Sequence, residues 1–181
     1  MSKVIELMNG TDVSRALNRL SFEIIEKTHN PENLVLVGIK TRGIPMARML
    51  AEKIKEHAKI DVPVCHLDIT FYRDDLSKLS ETPKVKEPSF DVDINGKEIV
   101  LVDDVLYTGR TIRAAIEAVF SQGRPGLIRL AVLVDRGHRE LPIKPDYIGK
   151  NVPTSHREIV KVCFDETGDG KIGVDLLKMD E

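Results

Sequence analysis

The residues best suited to chemistry lie in one stretch: Asp103, Asp104, Val105, Leu106, Tyr107, Thr108, Gly109, Arg110 and Thr111. Two adjacent carboxylates lead into a short turn of small and hydroxylated residues. Such a turn suits a phosphate if a helix begins at it. The first amides of a helix have no partner within it, and that end carries partial positive charge. Gly109 lets the backbone approach an anion closely, and Thr108 and Thr111 supply hydroxyl donors. The carboxylates would repel a phosphate. They suit sugar hydroxyls, or a cation forming beside them. A ligand with a phosphate at one end and ribose hydroxyls in its middle satisfies both halves. A second set, Lys40, Thr41, Arg42 and Gly43, joins two cations to a hydroxyl and a glycine. It suits the pyrophosphate end of the same ligand.

Strands and helices must bring these sets together. Ile99 to Val102 is a short apolar β-branched run ahead of the acidic pair, the pattern of a strand buried on both faces. Beyond the turn, Ile112, Ala115, Ile116, Val119 and Phe120 fall on one helical face. That helix should stop at Gly123, with Pro125 just beyond. Leu34 to Ile39 repeats the buried-strand pattern before Lys40. Pro45 then suits a first helical turn, and Ala47, Leu50, Ala51, Ile54 and Ala58 share a face. Two strand–loop–helix units of this kind predict an α/β fold with a mainly parallel sheet flanked by helices. Their loops should meet at the carboxyl ends of the strands.

The remaining segments are read in the same way. Thr11 or Asp12 can cap a first helix running to about Lys27, with Val13, Ala16, Leu17, Leu20 and Ile24 on its apolar side. Pro63 to Tyr72 alternates as a strand with one polar face. Arg73 to Ser89 is long and polar. It reads as a lid with Arg73 and Lys78 in reach of a pyrophosphate, or as a flexible β-hairpin arm completed by Phe90 to Ile94. Asn95-Gly96 turns into the central strand. Leu127 to Val134, Asp146 to Gly149 and Glu158 to Phe164 read as later strands. Asp165-Glu166-Thr167-Gly168-Asp169-Gly170 imitates the start of a calcium loop. The closing acid would fall on Leu176, so a hairpin turn is expected instead.

The chain has 181 residues, enough for one domain with a sizeable core, taken to span 1–181. It is 41% hydrophobic and 31% charged, with formal net charge −2. That balance excludes wholesale nucleic-acid coating but leaves room for a local basic patch. No membrane-spanning run or signal-peptide core is apparent, so a cytoplasmic location is expected. Sequence leaves a disulfide between Cys65 and Cys163 open; reduced, buried thiols are the expectation.

Val-Asp-Asp-Val-x-x-Thr-Gly-x-Thr, residues 102–111, resembles the 5-phosphoribosyl-1-pyrophosphate (PRPP) motif of the type I phosphoribosyltransferases. Further blocks extend the likeness over nearly the whole chain: Val37 to Ile44, Asp68 to Ser77, Val100 to Arg113, Ala131 to Ile143 and Asp146 to Ser155. Together they resemble the PyrR family. That resemblance implies a uracil phosphoribosyltransferase forming UMP and pyrophosphate from uracil and PRPP. It also implies a regulator that binds pyrimidine-operon leader mRNA when a uridine nucleotide is bound, working as a homodimer or higher homo-oligomer. The rivals are a purine-type phosphoribosyltransferase with no RNA role and an RNA regulator that only senses nucleotides.

Roles follow from the resemblance. Asp103 and Asp104 are expected at the ribose hydroxyls. Val105 to Thr111, chiefly Tyr107 to Thr111, are expected around the 5′-phosphate. Lys40, Thr41, Arg42 and Gly43 take the pyrophosphate, helped by Arg73. Asp103, Asp104, Arg42 and Arg73 form the expected catalytic set. Mg²⁺ is expected to be bridged by the substrate, with Asp103 the one candidate direct contact. The backbone near Val134 and the side chain of Arg136 are expected at the base. Arg15, Asn18, Arg19, His138, Arg139, Lys144, Lys150 and Thr154 are expected to face RNA, with His156 adding to the cluster. The family often has Thr and His where this chain has Asn18 and Phe22, and Arg where it has Lys144. Lysine keeps the charge and loses the bidentate fork.

Overall fold

The structure, a computed structural model, describes residues 3–69 and 90–178. Five parallel strands form the central sheet: β2 (Leu34–Ile39), β3 (Val64–Leu67), β4 (Glu98–Leu106), β5 (Leu127–Asp135) and β6 (Tyr147–Asn151), in the order β3-β2-β4-β5-β6. The helices are α1 (Gly10–Lys27), α2 (Gly43–Ala58) and α3 (Arg110–Gln122). The parallel sheet flanked by helices is the α/β fold expected from the sequence.

All six residues of β2 are buried, and alternate ones face opposite ways. Leu34 and Leu36 join the core beneath α1 and α2, with Leu17, Leu20, Met46 and Leu50. Val35 and Val37 join a second core beneath α3, with Leu101, Ala115 and Val119. Burial on both faces explains why β2 and β4 read as continuous apolar runs rather than alternating ones. A fully buried leucine contributes about 1.5–3 kcal/mol, so these two layers hold the strand ends in place. The five predicted apolar residues of α1 are all buried.

Several local expectations are corrected. Helix α1 is capped by Asn9, whose side chain accepts the Asp12 amide at 2.9 Å, while Asp12 accepts the Asn9 amide at 3.2 Å. Asp12 thus completes a capping box at the third helical position. Of the strand expected over Pro63–Tyr72, the described residues form Val64–Leu67, and Thr70 to Tyr72 lie outside them. Phe90 to Ile94 is not a strand; Ile94 is buried, and Phe90 and Val92 pack partly against the α3 core. Arg73, Lys78 and the rest of the expected lid lie outside the described residues.

The hairpin of two C-terminal strands expected from the sequence is present, but its pairing with an N-terminal strand in a second sheet was not expected. Strands β1 (Lys3–Met8), β8 (Gly173–Lys178) and β7 (Glu158–Cys163) pair antiparallel in the order β1-β8-β7. The calcium-loop imitation is the β7–β8 connection, a hairpin turn containing one 3₁₀ turn at Asp165–Thr167. Cys65 and Cys163 are buried free thiols.

Candidate active site

Chain order reverses between β2 and β4. From β2 the chain goes outward to β3, then returns to the other side of β2 as β4. Such a reversal opens a crevice beyond the carboxyl ends of the two strands. Lys40, Thr41 and Arg42 leave the end of β2, and Asp103, Asp104, Val105 and Thr111 lie on and after β4. Together with Asp68 and Ile69 they line one cleft of ≈ 360 Å³.

Gly43 is required by that crossing. A Cβ there would lie 2.3 Å from the Val102 carbonyl oxygen, so no side chain fits between the β2 loop and β4. The Lys40–Thr41 peptide bond is cis. Lys40 Nζ lies 2.8 Å from Asp68 Oδ2, an exposed pair. Arg42 NH2 lies 3.2 Å from Asp169 Oδ1, and Asp169 is nearly enclosed.

Asp103 and Asp104 are held by the backbone that follows them. The Asp104 amide donates to Asp103 Oδ1 at 2.9 Å, and the Val105 amide donates to Asp104 Oδ1 at 2.9 Å. Asp103 is buried within β4, opposite Val132. Leu106 is buried at the end of that strand. Gly109 then adopts φ +95, which turns the chain into α3. No side chain caps α3 and its first turn holds no acid. Among the described residues, the Thr108 hydroxyl accepts the Arg110 amide, at 3.3 Å. The start of α3 is therefore electropositive and open toward the cleft.

The loop after β5 braces this turn. The Glu140 amide donates to the Thr108 carbonyl at 2.9 Å, and Arg110 Nε lies 2.7 Å from Glu140 Oε2. Arg139 donates to the carbonyls of Tyr107 (2.8 Å) and Ile143 (2.9 Å) and to Asp135 Oδ2 (2.6 Å). The Tyr107 ring lies under the Arg136 guanidinium at 4.0 Å and edge-on to His138. The Tyr107 ring and carbonyl are thus both engaged by the loop after β5.

Residues 4–167 match the family model described as the phosphoribosyl transferase domain. The chain is 58% identical to the "Bifunctional protein PyrR" of Caldicellulosiruptor bescii, over 92% of this chain and 91% of that one. It is 56% identical to the protein of the same name from Thermus aquaticus, over 94% of each. The chain belongs to the PyrR family. Membership carries both family activities, uracil phosphoribosyl transfer and control of a pyrimidine operon. Among solved structures, a hypoxanthine phosphoribosyltransferase from Staphylococcus aureus superposes with a TM-score of 0.68 at 19% identity, over 94% of this chain and 90% of that one. One from Trypanosoma cruzi gives 0.71 at 18%, over 97% and 91%. At such identities the likeness shows the shared fold.

The residues expected to face RNA lie on α1, beside β6 and in the loop after β5. Helix α1 packs on β6, so Arg19 donates to the carbonyls of Ile148 (3.1 Å) and Gly149 (2.6 Å). Lys150 Nζ donates to the Leu7 carbonyl at 3.0 Å. Arg15, Arg19, Lys144 and Lys150 are exposed, and Thr154 is half-buried. His138 lies in the left-handed region at φ +62, with Nε2 2.5 Å from the Thr154 carbonyl oxygen and its ring 4.0 Å from His156. Asn18 Oδ1 lies 2.6 Å from His57 Nε2, and Phe22 stacks on the same imidazole at 4.2 Å.

Two side chains expected at the site are committed to protein contacts. Arg139 is half-buried, and three of its nitrogens donate to protein acceptors, bracing the turn after β4. Arg136 is buried and donates to Thr154 Oγ1 (3.1 Å) and to the carbonyls of Ser155 (3.2 Å) and Glu158 (2.7 Å). Its side chain ties the β5 loop to the β6–β7 loop. Val134 is fully buried within β5. Sequence reasoning gave no site role to Asp68 or Asp169. Their signal was weak: Asp68 ends a strand beside the cleft, and Asp169 is remote in sequence.

Proposed function

We propose that this cleft binds PRPP and that its two walls divide the work of transferring the phosphoribosyl group to uracil. The observation that carries the reading is the meeting of Lys40, Thr41 and Arg42 with Asp103, Asp104 and Thr111 across one crevice. The α3 amides with Thr108 and Thr111 take the 5′-phosphate. Asp103 and Asp104 take the ribose hydroxyls. Lys40, Thr41 and Arg42 take the pyrophosphate. As the C1–O bond lengthens, positive charge grows on the sugar, and the nearby carboxylates stabilise it electrostatically. The leaving pyrophosphate keeps the bonding electron pair and meets the Lys40 and Arg42 cations. Uracil N1 bonds to C1, and its proton passes to the departing pyrophosphate or to water. No side-chain nucleophile is involved; positioning and charge supply the acceleration.

Phosphoribosyltransferases use Mg²⁺ with PRPP. The hard oxygen donors on the cleft wall, Asp68, Asp103 and Asp104, fit an ion held by one or two carboxylates and by substrate oxygens. Asp103 or Asp104 would hold it beside the ribose, where it would neutralise charge on the pyrophosphate. The RNA-facing surface is proposed on α1 and beside β6, with Arg15, Asn18, Arg19, His138, Lys144, Lys150 and Thr154. It acts in a cytoplasmic homodimer or higher homo-oligomer that doubles the phosphate contacts.

PRPP-dependent consumption of uracil, hypoxanthine and adenine tests the base reading: turnover confined to uracil supports it, and preference for a purine overturns it. Asp104→Asn should lower kcat about a hundredfold while UMP affinity changes by less than about threefold. Equal losses in both would reduce the acidic pair to a ribose clamp. Lys150→Gln should weaken leader-RNA binding and flatten the log–log salt slope by about 0.7, with uracil turnover kept. An unchanged slope in a filter-binding titration with UMP present would remove Lys150 from the RNA surface.

A further inference from the structure

The β7–β8 turn, which imitates a calcium loop in sequence, has a side chain aimed at the pyrophosphate loop. Asp169 is fixed by its own turn: the Thr167 hydroxyl and the Phe164 amide (3.2 Å) both donate to Oδ2. Lys161 Nζ lies 3.5 Å from Oδ1. The same carboxylate accepts Arg42 NH2 at 3.2 and 3.3 Å, across 127 residues of sequence. Arg42 opens α2 as its N-cap and lines the cleft. Its Nε is buried and has no hydrogen-bond partner among the described residues. One guanidinium nitrogen is therefore tied to a rigid acceptor, while the group as a whole stays beside the cleft. A second tie, Arg48 to Glu166 at 3.0 Å, is solvent-exposed at both ends and holds the turn only weakly.

We propose that Asp169 is a positioning residue for phosphoribosyl transfer: it fixes the Arg42 guanidinium at the pyrophosphate subsite. A free arginine side chain samples many rotamers, and each must be frozen out when an anion binds. A guanidinium already held at one nitrogen binds with less of that cost. The Thr167 hydroxyl, the Phe164 amide and Arg42 hold the Asp169 carboxyl well below the usual carboxylate range, against the opposing effect of its burial. The tie is thus charged throughout any ordinary assay pH. This inference rests on the reading that Arg42 serves the pyrophosphate.

Steady-state kinetics on the full chain test it. Asp169→Asn keeps the acceptor for Thr167 and Phe164 and removes the charge facing Arg42. KM for PRPP should rise about tenfold, with KM for uracil and the Kd of UMP unchanged. The ratio of variant to wild-type KM should stay flat from about pH 6 to 9. In an Arg42→Ala background, Asp169→Asn should add no further loss. Tighter PRPP binding by Asp169→Asn would mean the carboxylate competes with the substrate, and would overturn the proposal. So would equal losses in uracil and UMP binding, or an additive loss in the Arg42→Ala background, since both mark general structural damage. If Arg42→Ala alone binds PRPP normally, the pyrophosphate reading falls and this inference with it. If Arg42→Ala is defective and Asp169→Asn is not, only this inference falls.

Discussion

Helices α1 and α3 begin in opposite ways. The start of α1 is closed by a reciprocal box between Asn9 and Asp12. The start of α3 has Gly109 as its N-cap, no side-chain cap and no acid in its first turn. Helix α2, which starts at the other wall of the cleft, also lacks a side-chain cap and a first-turn acid. Free helix amides need a partner. Where the chain supplies one, the end is structural; where it withholds one beside a cleft, an anion can complete it. The difference separates scaffold from site without reference to any catalytic side chain.

Giving α3 an acid of the kind α1 has should produce the largest effect. Thr111→Asp places a carboxylate in the first turn of α3. It should cut PRPP and UMP affinity about a hundredfold or more by repelling the phosphate, while favouring the helix itself by about 0.3–1 kcal/mol. Isothermal titration beside a thermal melt checks both halves, and retained UMP affinity would break the comparison. Gly109→Ala should have an intermediate effect. Its φ of +95 disfavours a side chain, and a Cβ would lie 3.3 Å from Ile143 Cδ1. A stability loss of about 1–3 kcal/mol is expected, with UMP affinity reduced roughly tenfold as the amides are displaced. Full affinity in a destabilised variant would show that the turn's shape does not matter to the ligand. The smallest effect belongs to Asn9→Ala. Opening the α1 end should cost about 1 kcal/mol of stability and leave every kinetic constant unchanged. A shifted KM for PRPP would show that the closed end also serves the site.

The parts legible in the sequence were those built from local pattern. Leu34–Ile39 and the strand before Asp103 are continuous apolar runs because both faces are buried, and that alone marks them as central. The acidic pair, the turn and the helix face follow one another directly, so the order of the residues is the order of the site. The parts that escaped depend on distant partners. Strand β1 has adjacent Val4 and Ile5 instead of a clean alternation, and it pairs with residues from the far end of the described chain. Arg139 reads as a surface cation in a charged loop, yet two of its acceptors are backbone carbonyls, which no side-chain pattern announces. The same holds for Arg136 and the carbonyls of Ser155 and Glu158. The Arg42–Asp169 pair joins two loops from different sheets, and nothing in either loop points to the other.

Lys3 lies opposite Lys178, and Ile5 opposite Leu176. During synthesis on a ribosome, β1 therefore emerges long before the strand that completes it. The parallel sheet can gather as its strands appear, each meeting a neighbour already made or soon to follow. The three-stranded sheet has to wait for β8. Asp169 sits on that late-forming piece, so a nascent chain would bring the β2 and β4 loops together before it could tie Arg42. Full affinity for PRPP should arrive as a final step of assembly rather than in proportion to the length translated.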